Sequence, residues 1–224
     1  MYAFNPEQLS NEYVSHVNEL EPILKDIVKI VTDSGAELEG NAFYHSGTFY
    51  IYPELFNKQV NLFWSGKQAT TRICEIGFNA GHSSMLMLLG RDKTPIDFTA
   101  FDIGHHAYTK PCVKYIQSKF AHVRLEYVEG DSIITMPKWI EENKSLIGSY
   151  DVVHVDGGHS DECIVNDMKN ADILVKKNGL IIIDDTHHDN INSYLNLFLS
   201  FGDYKEVKVL ETKGYQHRII QKIK

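Results

Sequence analysis

Three carboxylates and one imidazole stand where they could do chemistry. They lie in Val153-His154-Val155-Asp156-Gly157-Gly158-His159 and in Ile182-Ile183-Asp184-Asp185-Thr186. Each acid directly follows a short apolar run, so each reads as the carboxyl end of a strand. Three carboxylates converging on one sheet edge repel strongly unless a cation sits among them. Oxygen-only donors suit a hard divalent ion such as Mg²⁺, with open positions for substrate oxygens. Asp156, Asp184 and Asp185 are therefore the candidate metal ligands. A single Asp after a strand is as readily a loop cap, and that alternative stays open for Asp185.

A second constellation runs from Thr71 to Ser84. Ile73 to Gly77 reads as a short buried strand ending in an acid and a glycine. A four-residue bend follows, and then a helix from Ser83 to Leu89. Such a turn brings bare backbone N–H groups and a helix N-terminus up to a ligand. Dinucleotide binders use G-x-G-x-x-G, but here only Gly77 and Gly81 remain, with Asn79 between them, which disfavours a nicotinamide oxidoreductase. Glu75 sets a carboxylate beside the bend, better suited to a cationic ligand than to a pyrophosphate. Phe78 and Asn79 form the bend, and Ser83 opens the helix, where a hydroxyl and a backbone N–H could meet a carboxylate. Asp102 ends Phe-Thr-Ala-Phe-Asp, 25 residues past Gly77, near the spacing at which an acid accepts from ribose hydroxyls. Asp131 and Ser132 follow Gly130, as helix caps or as ligand contacts.

The elements that must hold these residues alternate regularly. Strands are expected near 72–77, 97–103, 123–129, 150–156 and 179–185, with helices near 83–90, 110–120, 133–143 and 161–176. Continuous apolar cores such as Ile181-Ile182-Ile183 fit parallel strands covered on both faces. A helix near 191–201 and a strand pair at 204–211 and 216–223 complete the chain. The expected fold is thus α/β: a Rossmann-like, seven-stranded, mostly parallel sheet with helices on both faces. Ahead of it, Pro6 to Thr32 has a 3.6-residue apolar period broken at Pro22. These apolar helices could cover the site or pair with another subunit. Tyr44 to Tyr50 alternates polar and aromatic residues, as a pocket-lining loop or one pinned by its rings. A further helix should start at Pro53 and end at Trp64, with Ser65-Gly66-Lys67 as the separator. Residues 1–66 are accordingly assigned to a helical extension or lid, and 67–224 to the ligand-binding domain.

The pattern E-x-G-x-x-x-G resembles the first motif of class I S-adenosylmethionine (SAM) methyltransferases. With the acids, the likeness over Thr71 to Thr186 is to their metal-dependent O-methyltransferases, both catechol-type and, more nearly, sugar-modifying (macrocin-type). The resemblance implies that Glu75, Gly77, Phe78, Asn79, Gly81 and Ser83 hold the methionine end of SAM. Asp102 would hold the ribose, and Asp131 and Ser132 would border the adenine. Asp156 would serve both cofactor and metal, with Asp184 and Asp185 completing the metal site. Asp-Asp rather than Asp-Asn at the second location leans toward the sugar branch. Some members place a general base three residues after the first metal ligand, which here is His159. Its other reading is a loop hydrogen bond. A divalent ion lowers a hydroxyl's pKa, and an imidazole can take the proton as the methyl moves. The family's middle glycine and the long N-terminal segment of larger sugar enzymes are missing. The expected activity is methyl transfer to a sugar or vicinal diol. The rivals are a metal-independent methyltransferase and a catalytically silent SAM-binding scaffold.

Composition narrows the partners. A formal charge of −8 over 224 residues argues against a nucleic-acid backbone as main partner. The opening Met-Tyr-Ala-Phe-Asn-Pro-Glu has no secretory pattern, and no apolar run nears the ~18 residues of a membrane span. Three widely spaced cysteines read as free thiols in a reducing compartment. A cytoplasmic enzyme with a small-molecule acceptor is expected, with a homo-oligomer as an option.

Overall fold

The computed structural model describes residues 5–40, 43–45, 48–49, 55–214 and 216–224; at 44–45 and 48–49 only backbone pairing is described. Helix α1 (Pro6–Val17) is capped by the Asn5 side chain, which accepts from the N–H groups of Glu7 and Gln8. A 3₁₀ turn leads into α2 (Glu21–Asp33), and Pro22 sits in its first turn, where its missing N–H costs no bond. Strands β1 (Tyr44–His45) and β2 (Thr48–Phe49) pair antiparallel. Residues 46, 47 and 50 of the expected pocket loop, and Pro53, lie outside the described residues.

Helix α3 (Phe56–Gln68) differs from expectation. Ser65-Gly66-Lys67 is part of the helix rather than a separator. A Cβ on Gly66 would stand 1.9 Å from the Met87 carbonyl oxygen of α4 (His82–Leu89). Gly66 is there for close helix–helix approach, and α3 runs unbroken through positions 66 and 67.

The rest alternates as β3 (Arg72–Ile76), α4, β4 (Ile96–Asp102), α5 (Thr109–Lys119), β5 (Val123–Glu129), α6 (Ser132–Glu142), β6 (Tyr150–Val155), α7 (Asp161–Leu174), β7 (Val175–Ile183) and α8 (Asp189–Ser200). Strands β8 (Tyr204–Val207) and β9 (Arg218–Lys222) close the chain. The seven-stranded sheet has the order β5-β4-β3-β6-β7-β9-β8. All pairings are parallel except those of β9, which lies antiparallel to β7 and β8. Strand order reverses between β3 and β6, and the carboxyl ends of neighbouring strands splay there into a crevice.

Helices cover both faces. Leu9, Tyr13 and Val17 of α1 and Leu24, Ile27 and Val31 of α2 share one core with α3, α4, α5 and the sheet. The opposite face is packed by Met136 and Trp139 of α6, Ile164 and Met168 of α7, and Ile191 and Leu195 of α8. The extension's apolar stripes are thus buried in the main core. Among the described residues, no helix is long and apolar enough to cross a membrane.

Candidate active site

A cleft of about 550 Å³ opens at the β3/β6 crevice. Its walls include Gly77, Phe78 and Asn79 from the bend after β3, Ser83 from the first turn of α4, Asp102 at the end of β4, Asp131 and Ser132 after β5, and Asp156, His159 and Asp185. Most residues picked from the sequence therefore meet in one place. Glu75, Gly81 and Asp184 lie behind the wall.

The bend is shaped by three residues with left-handed backbone: Gly77 (φ 91°), Asn79 (φ 52°) and Gly81 (φ 81°). A Cβ on Gly77 would lie 1.9 Å from the Asp156 carbonyl oxygen, so this glycine lets β3 and β6 close up at the crevice. A Cβ on Gly81 would meet Ile116 at 2.4 Å. Asn79 can hold its conformation because its N–H donates to Asp102 Oδ2 (2.7 Å) and its Oδ1 accepts from the Tyr108 hydroxyl (2.7 Å). Asp102 Oδ1 accepts from the Gly104 N–H (2.7 Å). One carboxylate thus clasps the loops after β3 and β4. His106 stacks on Tyr108 and pairs with Glu39 (3.0 Å), tying the segment after α2 to this rim.

Asp131 caps α6, accepting from the Ile133 N–H (3.0 Å), so its cap role and its place in the cleft wall coexist. Glu75 is fully buried in mid-sheet. It accepts from Ser83 Oγ (2.5 Å), from Ser84 Oγ and from His154 Nδ1 (2.9 Å), and so braces the helix start from below.

The acids at the β6 and β7 ends form two sets. Asp156, Asp184 and His154 place one donor atom each within 4.8 Å of one another, a set able to hold a metal ion. Asp185, with φ 53°, turns instead toward His159, whose Nε2 lies 2.8 Å from Asp185 Oδ2, and toward His187 at 3.9 Å. Asp184 is buried between Lys58 Nζ (2.7 Å) and His154 Nε2 (3.6 Å). Burial opposes its charge, but Lys58 and His154 outweigh burial and hold its carboxyl well below the usual range. Desolvation, with Asp184 alongside, pushes the Asp156 carboxyl well above that range. Burial works against a charged His154 as well, yet Asp184 and Glu75 lift its imidazole to about 10. His154 thus lies between two carboxylates, one facing each ring nitrogen.

Sequence reasoning missed Lys58 and His154. His154 left a signal: it is a basic side chain in the middle of the fully buried strand β6, and such a group needs a partner. Lys58 left none, since its partner lies far along the chain.

The sheet order, the crevice and the bend define a Rossmann-like domain of the methyltransferase type, as expected. Residues 74–186 match the family described as a methyltransferase domain, Methyltransf_24, over just more than half of the 224 residues, and the chain belongs to that family. No curated protein matches it. Among solved structures, the O-methyltransferase from Bacillus cereus in complex with SAH is similar at 16% identity, covering 98% of this chain and 100% of that one, with TM-score 0.61. TomG from Streptomyces achromogenes, an O-methyltransferase of tomaymycin synthesis in complex with SAM, is 13% identical over 99% of both chains (TM-score 0.59). CalS11, a TDP-rhamnose 3'-O-methyltransferase of calicheamicin biosynthesis, is 15% identical over 99% of this chain and 96% of that one (TM-score 0.55). At these identities the likeness is one of fold.

Proposed function

We propose that this protein is a SAM-dependent O-methyltransferase acting on a hydroxyl of a sugar or another vicinal-diol small molecule. One observation carries the reading: the loop clasp at Asp102 and the acid and imidazole groups at Asp156, Asp185 and His159 line a single cleft. A cofactor seated on the bend and an acceptor seated on the acids would therefore be held side by side, which is where much of the rate of a two-substrate transfer arises. The sugar acceptor draws support from the fold shared with CalS11. Free thiols at Cys74, Cys112 and Cys163 agree with a reducing, cytoplasmic setting.

The donor set fits a divalent cation such as Mg²⁺: carboxylates at Asp156 and Asp184 converge, His154 Nε2 faces them unpartnered, and Asp185 adjoins. When bound, such an ion would stabilise the acceptor's alkoxide and so lower its pKa. In this scheme His159 takes the proton. With Nε2–H donating to Asp185 Oδ2, the lone pair of Nδ1 is the basic site. The hydroxyl oxygen would then attack the sulfonium methyl in line, its proton passing to His159 and SAH leaving. A metal-independent version has one observation in its favour, the Lys58 ammonium already on Asp184.

Methyl transfer from SAM to nucleotide sugars and catechols, with and without EDTA, tests the scheme. The expected result is turnover lost in EDTA and in Asp156→Ala, with SAH binding largely retained. Full turnover in EDTA would favour the metal-independent version, and no transfer to any hydroxyl would sink the proposal.

A further inference from the structure

The acid cluster carries a cation of its own. Lys58 reaches in from α3 with a side chain only 17% exposed, and its Nζ lies 2.7 Å from Asp184 Oδ2. Asp156 and Asp185 attract the same ammonium. From the other side, the fully buried Nε2 of His154 points at that oxygen from 3.6 Å, with no hydrogen-bond partner. The second oxygen, Oδ1, accepts from the Asp185 N–H (2.7 Å). Both oxygens of Asp184 are thus already engaged. A divalent ion drawing on either oxygen of Asp184 would stand close to the Lys58 ammonium, and two positive charges repel strongly in so buried a place.

We propose that Lys58 is a tethered counter-ion of the acid cluster, and that a divalent ion takes Asp184 only by displacing it. Lys58 is suited to this role because a lysine carries its charge on a flexible four-carbon stem and can swing out without unwinding α3. The apo cluster is then held together without metal, and metal affinity is set by competition with a side chain from the N-terminal helices. Lys58 is a positioning residue here, acting through Asp184. The inference rests on the reading that the cluster accepts a divalent ion, and its test separates the two.

The full chain and Lys58→Met, which keeps length and removes charge, are titrated with Mn²⁺ by calorimetry in the presence of SAH. The expected result is Mn²⁺ binding tighter by about tenfold or more in Lys58→Met, the effect of losing one partly buried charge competitor. In EDTA the variant should melt lower than the parent, and Mn²⁺ should raise its melting temperature more than the parent's. A measurement on the unmodified protein guards against a variant that does not fold: Mg²⁺ should increase acetylation of Lys58 by an amine-reactive ester, read by mass spectrometry, as the ammonium leaves its buried seat. Equal Mn²⁺ affinity in the two proteins, or Lys58 labelling indifferent to Mg²⁺, overturns the competition while leaving the metal site intact. Failure of both proteins to bind Mn²⁺ overturns the competition and the metal together, and SAH binding would still stand for the methyltransferase.

Discussion

Asp102→Asn separates the two tasks that the geometry gives to one carboxylate. Its oxygens each accept a backbone N–H at 2.7 Å, from Asn79 and Gly104, while the side chain also faces the cleft. A carboxylate has about four acceptor sites, so two remain for the ribose hydroxyls of a bound cofactor. Asparagine keeps the shape but turns one oxygen into an NH₂ donor. That group must then face either the Asn79 or the Gly104 N–H, donor against donor. Losing one charge-assisted bond costs about 1.5–3 kcal/mol of stability. If a ribose hydroxyl donates to the same oxygen, SAH affinity falls by the same energy, about 10- to 150-fold in Kd. Calorimetric titration with SAH and a melting curve on the same sample measure both effects. A variant that melts lower yet binds SAH within about threefold of the parent would refute the ribose role and leave Asp102 as a loop clasp alone.

Two further substitutions test charges outside the cleft chemistry. Asp151 lies at the opposite, amino end of β6 and accepts from the N–H groups of Thr70 (2.9 Å), Thr71 (2.6 Å) and Arg72 (2.8 Å), with the Lys176 ammonium alongside. Burial resists its charge, but Lys176 and these N–H groups overcome it and hold the carboxyl below its ordinary value, so its stabilisation is present above the unfolded pKa of about 3.9 and fades as pH falls below it. Asp151→Asn should lose about 3–5 kcal/mol in urea unfolding at neutral pH, with SAH affinity unchanged. Asp167 is the reverse case. Burial, abetted by Asp131 and only tempered by the Ser132 hydroxyl, pushes it up to about 6, and neither oxygen makes a hydrogen bond of regular geometry. Its raised pKa favours the folded state at low pH, and that benefit disappears as pH rises from about 4 through 6. Asp167→Asn should flatten this dependence and gain up to ~3 kcal/mol at pH 8; an unfolding free energy that still changes between pH 4 and 6 as in the parent would contradict it.

Strands β3, β4, β6 and β7 were legible because strands buried on both faces must be apolar throughout, and their terminal acids fall on one edge by topology alone. Glycine was ambiguous. From the sequence Gly77 reads as a ligand-facing turn residue, and it also makes room for the Asp156 backbone. Gly66 reads as a separator, but it is where α3 and α4 touch. The same missing side chain serves a turn or a close contact, and only the neighbour decides which. The start of β7 is hidden for a related reason: from the sequence Lys176 reads as the end of the helix at 161–176, yet the strand runs from Val175, with Asn178 at φ 66° absorbing the irregularity.

The trio of acids looked from the sequence like three equal ligands, but their surroundings make them unequal. Glu75 and His154 stand opposite one another in the β3/β6 register, and His154 links Glu75 to Asp184, which Lys58 closes. With His154 protonated, its charge and that of Lys58 offset the two carboxylates, and the buried row is neutral. Neutrality is what permits four ionisable groups in so dry a place, because an uncompensated charge there would cost several kcal/mol. Asp156 and Asp185 stand outside that row, at the cleft wall, with the rings of His159 and His187 beside Asp185. A cation or an acceptor's hydroxyl entering from the cleft therefore meets these two side chains first. Asp184 joins such an ion only when Lys58 lets go, and Glu75 and His154 link Asp184 to Ser83 and Ser84 in the first turn of α4.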